Sequence, residues 1–351
     1  MKKPDVIIIG GGIAGVSLAG RLAGRAKVLL LERENQLAYH TTGRSAAMFV
    51  DAYGNAKVRE WTRESRPFFE KPPEGFTDMP LFHRRATIAV AQPGEEPHID
   101  LLLAESPEDV QPINAEKVFG LVPILRRDRF SKFAFQPRTA DIDVHALFEG
   151  FRRMALRGGA EILTGQNVQG LEHDAQGWAV RVGEDNYRAP ILVNAAGSWG
   201  GVIGRMAGLG DKGLMPLRRT AVMIAPPEGF DIANWPVVMA ATSQFYFKPD
   251  AGNFLASPED ETPSEPCDAQ PEEIDVATIA HRLEEVTTMQ VRRIVRRWAG
   301  LRTFTPDRTP HFAFDEAAKD FVWLVGQGGY GMQTSPAISE RAANLIAERF
   351  A

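Results

Sequence analysis

The chain opens on four consecutive apolar β-formers, Val6-Ile7-Ile8-Ile9, with no polar residue among them. An unbroken apolar run of this length reads as a strand buried on both faces, the habit of parallel sheets. Val28-Leu29-Leu30-Leu31, Ile191-Leu192-Val193-Asn194 and Phe321-Val322-Trp323-Leu324-Val325 repeat the pattern. After the first run the apolar spacing turns helical, with Val16, Leu18, Ala19, Leu22 and Ala23. Amphipathic helices are predicted over 55–70, ended by Pro72-Pro73, and over 144–157 behind Asp141-Ile142-Asp143. Further helices are expected over 276–289 and 336–350, with a short one inside the polar stretch 92–112. Residues 84–95 alternate as a strand, and 160–163 and 178–182 read as strands returning to the first sheet. Between Met215 and Ala256 strands dominate: Thr220–Ala225, Val237–Ala241 and Phe245–Lys248.

Glycines mark the ends of these runs. Val6–Ile9 leads into Gly10-x-Gly12-x-x-Gly15 and then directly into a helix, the context that a dinucleotide fingerprint requires. Gly10 permits the turn, Gly12 admits a pyrophosphate close to the backbone, and Gly15 lets helix and strand pack. Unpaired N–H groups at the helix start then face phosphate oxygens. The second run ends in Glu32, near the offset of about 20 residues expected for a carboxylate on ribose hydroxyls, and its charge disfavours a 2′-phosphate such as that of NADP. One crossover later, the hydroxyl-rich segment Tyr39 to Ala47 is placed to face the rest of a cofactor. Ile191–Asn194 runs into Ala195-Ala196-Gly197-Ser198-Trp199, a second close approach of backbone to something bulky. Phe321–Val325 feeds Gly326-Gln327-Gly328-Gly329-Tyr330-Gly331 and a helix. A third strand–glycine–helix turn aims a positive helix end at an electron-rich group. A nicotinamide does not need this; a flavin does, at its N1–C2=O edge, and FAD is the expected cofactor.

Composition narrows the setting. At 351 residues and 44% hydrophobic the chain is long enough for two domains, and its net charge of −5 gives no case for nucleic acid or an anionic membrane surface. One cysteine, Cys267, excludes an internal disulfide and a cysteine metal cluster, and no metal site is expected. Lys2-Lys3 before an apolar run superficially resembles a signal peptide, but three glycines interrupt it and a first strand explains it better. No stretch approaches the roughly 20 apolar residues of a transmembrane segment, so the expected location is cytoplasmic, with peripheral contact at the inner membrane left open. The proline- and acid-rich stretch 257–275 reads as a solvated loop, and Arg292, Arg293, Arg296 and Arg297 as a solvated face with one or two buried ion pairs.

Together, Gly10-x-Gly12-x-x-Gly15, Glu32, His40-Thr41-Thr42-Gly43-Arg44-Ser45, Asn194-Ala195-Ala196-Gly197 and Gly328-Gly329-Tyr330-Gly331 resemble the D-amino-acid oxidase/glycine oxidase superfamily of FAD enzymes along the whole chain. Arg44-Ser45-Ala46-Ala47, Ala52-Tyr53-Gly54, Phe245-Tyr246-Phe247-Lys248-Pro249 and Trp298-Ala299-Gly300-Leu301-Arg302 look most like its bacterial D-arginine dehydrogenase branch. The resemblance implies a Rossmann-like α/β FAD domain (1–83, 139–214, 305–351) interleaved with an α+β, mostly antiparallel substrate domain (84–138, 215–304). It implies FAD contacts from Gly10, Gly12, Ile13, Ala14 and Gly15, and from Glu32 with Arg33. Further contacts are implied from Thr41 through Ala47, from Val168, Ala195, Ala196, Gly197 and Trp199, and from Arg302 and Gly328 through Thr334. In that last segment the residues are Gly328, Gly329, Tyr330, Gly331, Met332, Gln333 and Thr334.

The resemblance further implies that Arg219 and Arg302 clamp a substrate carboxylate, with Tyr53 and Tyr246 as hydroxyl donors. An arginine fork suits a carboxylate, and hydride transfer from Cα to flavin N5 needs the substrate held close. The implied reaction is oxidation of a D-amino acid to an imino acid, which hydrolyses to a 2-oxo acid and ammonia. Electrons would pass to a quinone or to O2. Three pocket positions depart from the branch: Thr87 replaces a glutamate that grips a basic side chain, Met48 a histidine and Val50 a threonine. A buried guanidinium without a carboxylate is costly, so neutral or apolar D-amino acids are expected over D-Arg and D-Lys. Oxidation of glycine, sarcosine-type amines or a 2-hydroxy acid is the alternative, and a non-catalytic FAD-binding subunit a further one. Thr303-Phe304-Thr305-Pro306 lacks the cysteine that tethers flavin in some relatives, so FAD should be non-covalent.

Overall fold

A computed structural model describes residues 3–350; Met1, Lys2 and Ala351, which carry the ends of the expected first domain, lie outside the described residues. Strand Val6–Ile9 is buried at every position. It pairs in parallel with Val28–Leu31 on one side and Ile191–Asn194 on the other, Val6 standing opposite both Val28 and Ile191. Glu161–Leu163 and Phe321–Val325 extend the sheet in parallel, and antiparallel His311–Phe314 completes its six strands. Both faces are covered, which is why these strands carry no alternation. Val6, Ile8 and Leu30 pack under helices Ile13–Leu22, Val144–Arg157 and Gly331–Ala347. Ile7, Leu29 and Leu192 pack on the other face with Trp178 and Trp323. Because connections leave Val6–Ile9 in opposite directions, a crevice opens beyond its carboxyl end.

The 178–182 strand does not return to this sheet. Two-residue turns pair Asp174 with Gly177 and Val182 with Asp185, so Gly170–Asp174, Gly177–Val182 and Asp185–Ala189 close their hydrogen bonds locally as a separate three-stranded sheet. The 144–157 helix forms as predicted because Asp143 caps it, its side chain accepting from Ala146 N at 2.8 Å. The last helix begins at Gly331 rather than 336. Pro336 cannot donate to Met332 O, but the Ser335 hydroxyl does so at 3.0 Å, and the helix runs through.

A second sheet of nine strands is drawn from 87–136 and 215–304 and is mostly antiparallel, with Val237–Ala240 parallel to Thr87–Ala91. Helix Glu273–Val286, a few residues earlier than predicted, covers one face through Ile279 and Leu283. The strand that sequence patterning passed over, Ile294–Phe304, lies antiparallel to Met215–Ile224. Its arginine-rich first half is exposed and hides the alternation; Arg297 meets Glu273 across open surface, so the expected buried pair there is absent.

The acidic stretch also differs from its reading as a solvated loop. Arg218 binds Glu272 and, at 3.1 Å, Asp275, while Arg44 binds Asp268 and donates to Ala269 O at 3.0 Å. These acids find cations on neighbouring strands or loops, and the segment is stitched down. Among the described residues, no helix is long and apolar enough to cross a membrane.

Candidate active site

A cleft open to solvent runs from the crevice beyond Val6–Ile9 to strands Met215–Ile224, Tyr246–Asp250 and Ile294–Phe304. Its lining is drawn from both sheets and from the glycine turns between them, so one continuous cleft joins the fingerprint turn to the arginine-bearing strands. The fingerprint glycines differ in what surrounds them. Gly10 has φ +115°, and a Cβ there would lie 2.3 Å from Ala195 O. At Gly15 a Cβ would lie 2.0 Å from Gly10 O, so this glycine sets how helix Ile13–Leu22 seats on its strand. At Gly12 it would meet only Thr42 Oγ1, at 3.3 Å, which leaves the room a pyrophosphate needs. Thr42 Oγ1 accepts from Ile13 N at 3.0 Å, and no side chain caps the helix at Gly12.

Glu32 is held at the strand end by two backbone donors: Gly11 N to Oε2 at 2.6 Å and Glu34 N to Oε1 at 2.8 Å. Beside it the Arg33 guanidinium lies 4.5 Å from the Trp199 ring centre, with the His40 ring 4.7 Å from the same ring. Val168, Ala195, Ala196 and Gly197 line this end. At the other end Gly328, Gly329, Gly331 and Met332 line the wall where helix Gly331–Ala347 starts without a side-chain cap. Gln327, which also lines it, has a buried Nε2 with no partner among the described residues. An uncapped helix start and an orphaned amide donor form the donor set that an electron-rich flavin edge would satisfy. The residues present fit FAD.

The substrate end is built by two adjacent strands. Arg219 stands opposite Gly300 in register, which puts Arg302, two residues on, on the same face; both arginines line the cleft. They are not equivalent. Arg219 Nη1 lies 3.1 Å from Glu259 Oε2 and Nη2 lies 3.0 Å from Glu261 Oε1, so its fork is already engaged. Arg302 has one hydrogen bond among the described residues, Nη1 to Tyr53 Oη at 3.3 Å. Burial pulls its pKa down, but nearby Tyr53, Tyr246, Glu259 and Glu261 more than offset this and hold it above its ordinary value. Tyr246 is buried, which raises its phenol above the usual tyrosine value despite the two arginines; it is a neutral donor. Tyr330, pushed up to about 12 by burial, is neutral too, its ring 5.0 Å from that of Tyr53.

The cleft thus takes in Ile13, Ala14, Thr41, Thr42, Arg44, Ser45 and Ala46 as expected, but several other residues stand behind it. Gly15 packs on Gly10; Gly43 N donates to Ala38 O at 2.9 Å in a tight turn; Ala47, at φ +48°, donates to Ser45 Oγ. Arg44 reaches the cleft but turns its guanidinium away, to Asp268 and Ala299 O. Gln333 is spent on Val50 N and Thr62 Oγ1, and Thr334 on Tyr330 O. Tyr53 and Tyr330 form the layer under Gly329 and Arg302. Met48, Val50 and Thr87 do not line the cleft; Thr87 is fully enclosed, its hydroxyl 2.9 Å from Thr139 Oγ1. Sequence reasoning missed Gln327 and the Glu259–Glu261 pair. The signal for the latter was an acidic triplet placed directly after a buried strand, in a chain whose adjacent Arg218-Arg219 needed partners.

The sequence matches the family described as FAD dependent oxidoreductase (DAO) over residues 5–345. It is 24% identical to the mitochondrial dimethylglycine dehydrogenase of Mus musculus over 94% of this chain and 41% of that protein. It is 23% identical to the glycine oxidase of Bacillus licheniformis over 98% and 93%. The chain spans less than half the length of the dimethylglycine dehydrogenases it matches. In fold it resembles glycine oxidase from Geobacillus kaustophilus (TM-score 0.85, 20% identity, 99% of this chain and 95% of that one). It also resembles L-α-glycerophosphate oxidase from Mycoplasma pneumoniae with FAD bound (TM-score 0.87, 19% identity, 99% and 95%). With the fingerprint turn, the uncapped C-terminal helix and the match along nearly its whole length, the chain belongs to the DAO family of FAD-dependent oxidoreductases.

Proposed function

We propose that this enzyme oxidises the Cα–N bond of small D-amino acids with neutral or apolar side chains, giving 2-oxo acids and ammonia. One observation carries the reading. Arg302 is a half-buried guanidinium whose sole hydrogen bond among the described residues is to a tyrosine, beside the glycine turn that opens the C-terminal helix. Its free donors present a fork to a carboxylate, and the neutral Tyr246 phenol adds a donor without competing charge. Ala46, Met223, Leu255 and Trp298 pack around Tyr246 and keep water from that wall. Bound non-covalently, FAD supplies the two-electron acceptor for the hydride leaving Cα. No cysteine lines the cleft, and exposed Cys267 lies outside it.

The side-chain preference rests on what is missing. Among the described residues the one acid that lines the cleft is Glu32, at the nucleotide end and engaged by Gly11 N and Glu34 N, so no carboxylate of the lining is offered to a basic side chain. A second reading, oxidation of glycine or an N-methylglycine, is favoured by the relatives that carry those names. Anaerobic titration of the yellow holoenzyme with D-, L- and N-methyl amino acids separates the two. Bleaching by D-alanine-like substrates and not by D-Arg supports the proposal, and the highest kcat/KM on D-Arg overturns it. Acid precipitation should leave a colourless pellet. Parallel assays of O2 uptake and quinone reduction identify the acceptor.

A further inference from the structure

The Arg219 fork is closed by two carboxylates, and this determines how much negative charge the substrate end accepts. Glu259 and Glu261 each give it one oxygen, and Glu261 Oε1 is shared with Arg308 Nη2 at 2.6 Å. Five formal charges therefore meet here: Arg219, Arg302 and Arg308 against Glu259 and Glu261. Their sum is a single positive charge, and Arg302 is the guanidinium left without an acidic partner among the described residues.

Glu259 is the unusual member. Its side chain is 7% exposed, and its Oε1 is buried with no hydrogen-bond partner among the described residues. Its backbone sits at φ +56°, a left-handed conformation that disfavours glutamate. Asp260, next in the chain, anchors the turn by accepting from Thr220 N at 2.6 Å and from Thr220 Oγ1 at 3.1 Å. A strained backbone and an unsatisfied buried carboxylate oxygen together mark a position held for something other than stability.

We propose that Glu259 is a specificity-determining residue. From behind the cleft wall it neutralises Arg219, which lines the cleft, and so turns a two-arginine site into one that accepts a single carboxylate. The enzyme therefore selects amino monocarboxylates and rejects dicarboxylates, which bring excess negative charge. This rests on the amino-acid reading above, but its test does not depend on turnover.

The probes are unreactive carboxylates, propionate and succinate, titrated into FAD-loaded protein and followed by the flavin absorbance shift. Wild type should bind propionate at least as tightly as succinate. Glu259→Gln, which keeps shape and removes charge, should tighten succinate by roughly tenfold or more relative to propionate. Arg219→Gln/Glu259→Gln restores the net charge and should restore the wild-type ratio, which a misfolded loop would not. An unchanged succinate-to-propionate ratio in Glu259→Gln overturns the proposal. So does a double variant that keeps the single variant's ratio. If no amine bleaches the flavin yet the ratio moves as stated, the substrate reading fails and the charge filter stands.

Discussion

Alanine at Gly12 and alanine at Gly15 should have opposite consequences, although both glycines belong to one motif. Gly12 has φ −79° and ψ −177°, which any residue adopts, and an added Cβ would meet only Thr42 Oγ1 at 3.3 Å. Removing glycine where the backbone is compatible stabilises a chain by about 0.4–1 kcal/mol through the unfolded state. Gly12→Ala apoprotein should therefore unfold at equal or slightly higher urea concentration than wild type. The same methyl group stands where the pyrophosphate would approach the helix. Displacing it costs charge-assisted hydrogen bonds of about 1.5–3 kcal/mol each, so FAD affinity should fall roughly 10- to 100-fold or more. At Gly15 the Cβ would stand 2.0 Å from a backbone oxygen, and neither atom belongs to a flexible side chain. Relief requires moving helix Ile13–Leu22 off its strand, and overpacking of this kind costs about 1–3 kcal/mol or more. Gly15→Ala should lower apoprotein stability, with FAD loss following from it. Urea unfolding by circular dichroism and FAD titration by fluorescence quenching measure both quantities. Gly12→Ala destabilised like Gly15→Ala, or Gly12→Ala binding FAD normally, would refute the assignment of separate roles.

Three further outcomes are expected. Arg302→Met, removing the fork that faces the substrate carboxylate, should reduce kcat/KM by roughly 2–5 kcal/mol, about 30- to several-thousand-fold, and Arg302→Lys by roughly tenfold; a loss under fivefold in the methionine variant at full FAD content would count against Arg302 as the carboxylate site. Because burial raises the Tyr246 phenol, carboxylate affinity should stay flat up to about pH 10, the usual tyrosine value, and Tyr246→Phe should weaken it about tenfold; a break near pH 8 in wild type that is absent from the phenylalanine variant would contradict a neutral phenol. Asp315 is lowered from 3.8 to about 2: burial acts upward, but Lys212 at 2.9 Å, Trp323 Nε1 at 2.9 Å and two backbone donors outweigh it. A depressed carboxylate stabilises the fold above pH 3.8 and loses that contribution as pH falls from 3.8 to about 2. Asp315→Asn should cost about 1–2 kcal/mol near pH 7, allowing for solvent screening at Lys212, and should flatten the acid limb of a urea-unfolding series; an unaltered acid limb would refute the sign.

The parallel sheet was legible because full burial leaves an unbroken apolar run, and the first run stops at glycines whose reasons are local. Gly10 needs positive φ, and Gly15 needs the space of a Cβ. Helix Val144–Arg157 was legible for the same reason, since its cap and its apolar face lie within one segment. What stayed hidden depends on partners far along the chain. Strand Ile294–Phe304 has exposed arginines on its first half and acquires its identity from pairing with Met215–Ile224. The arginines at 219 and 302 read alike in the sequence, and only the fold shows that one is neutralised by Glu259 and Glu261 while the other, among the described residues, bonds a tyrosine alone. Likewise 257–275 has the composition of a solvated loop, yet Arg44, Arg218, Arg219 and Arg308 each take an acid from it.

Composition counts charges but does not say which of them meet. A carboxylate in an acidic run is solvated by default, and becomes part of a site only where a neighbouring strand brings a buried guanidinium within about 3 Å, close enough for the pair to offset its desolvation. The general chemistry of this enzyme is therefore written in glycines and apolar runs that a sequence displays. The charge around Arg219 and Arg302 is set by the pairing of acids and arginines, which appears only once Met215–Ile224 and Ile294–Phe304 are laid side by side.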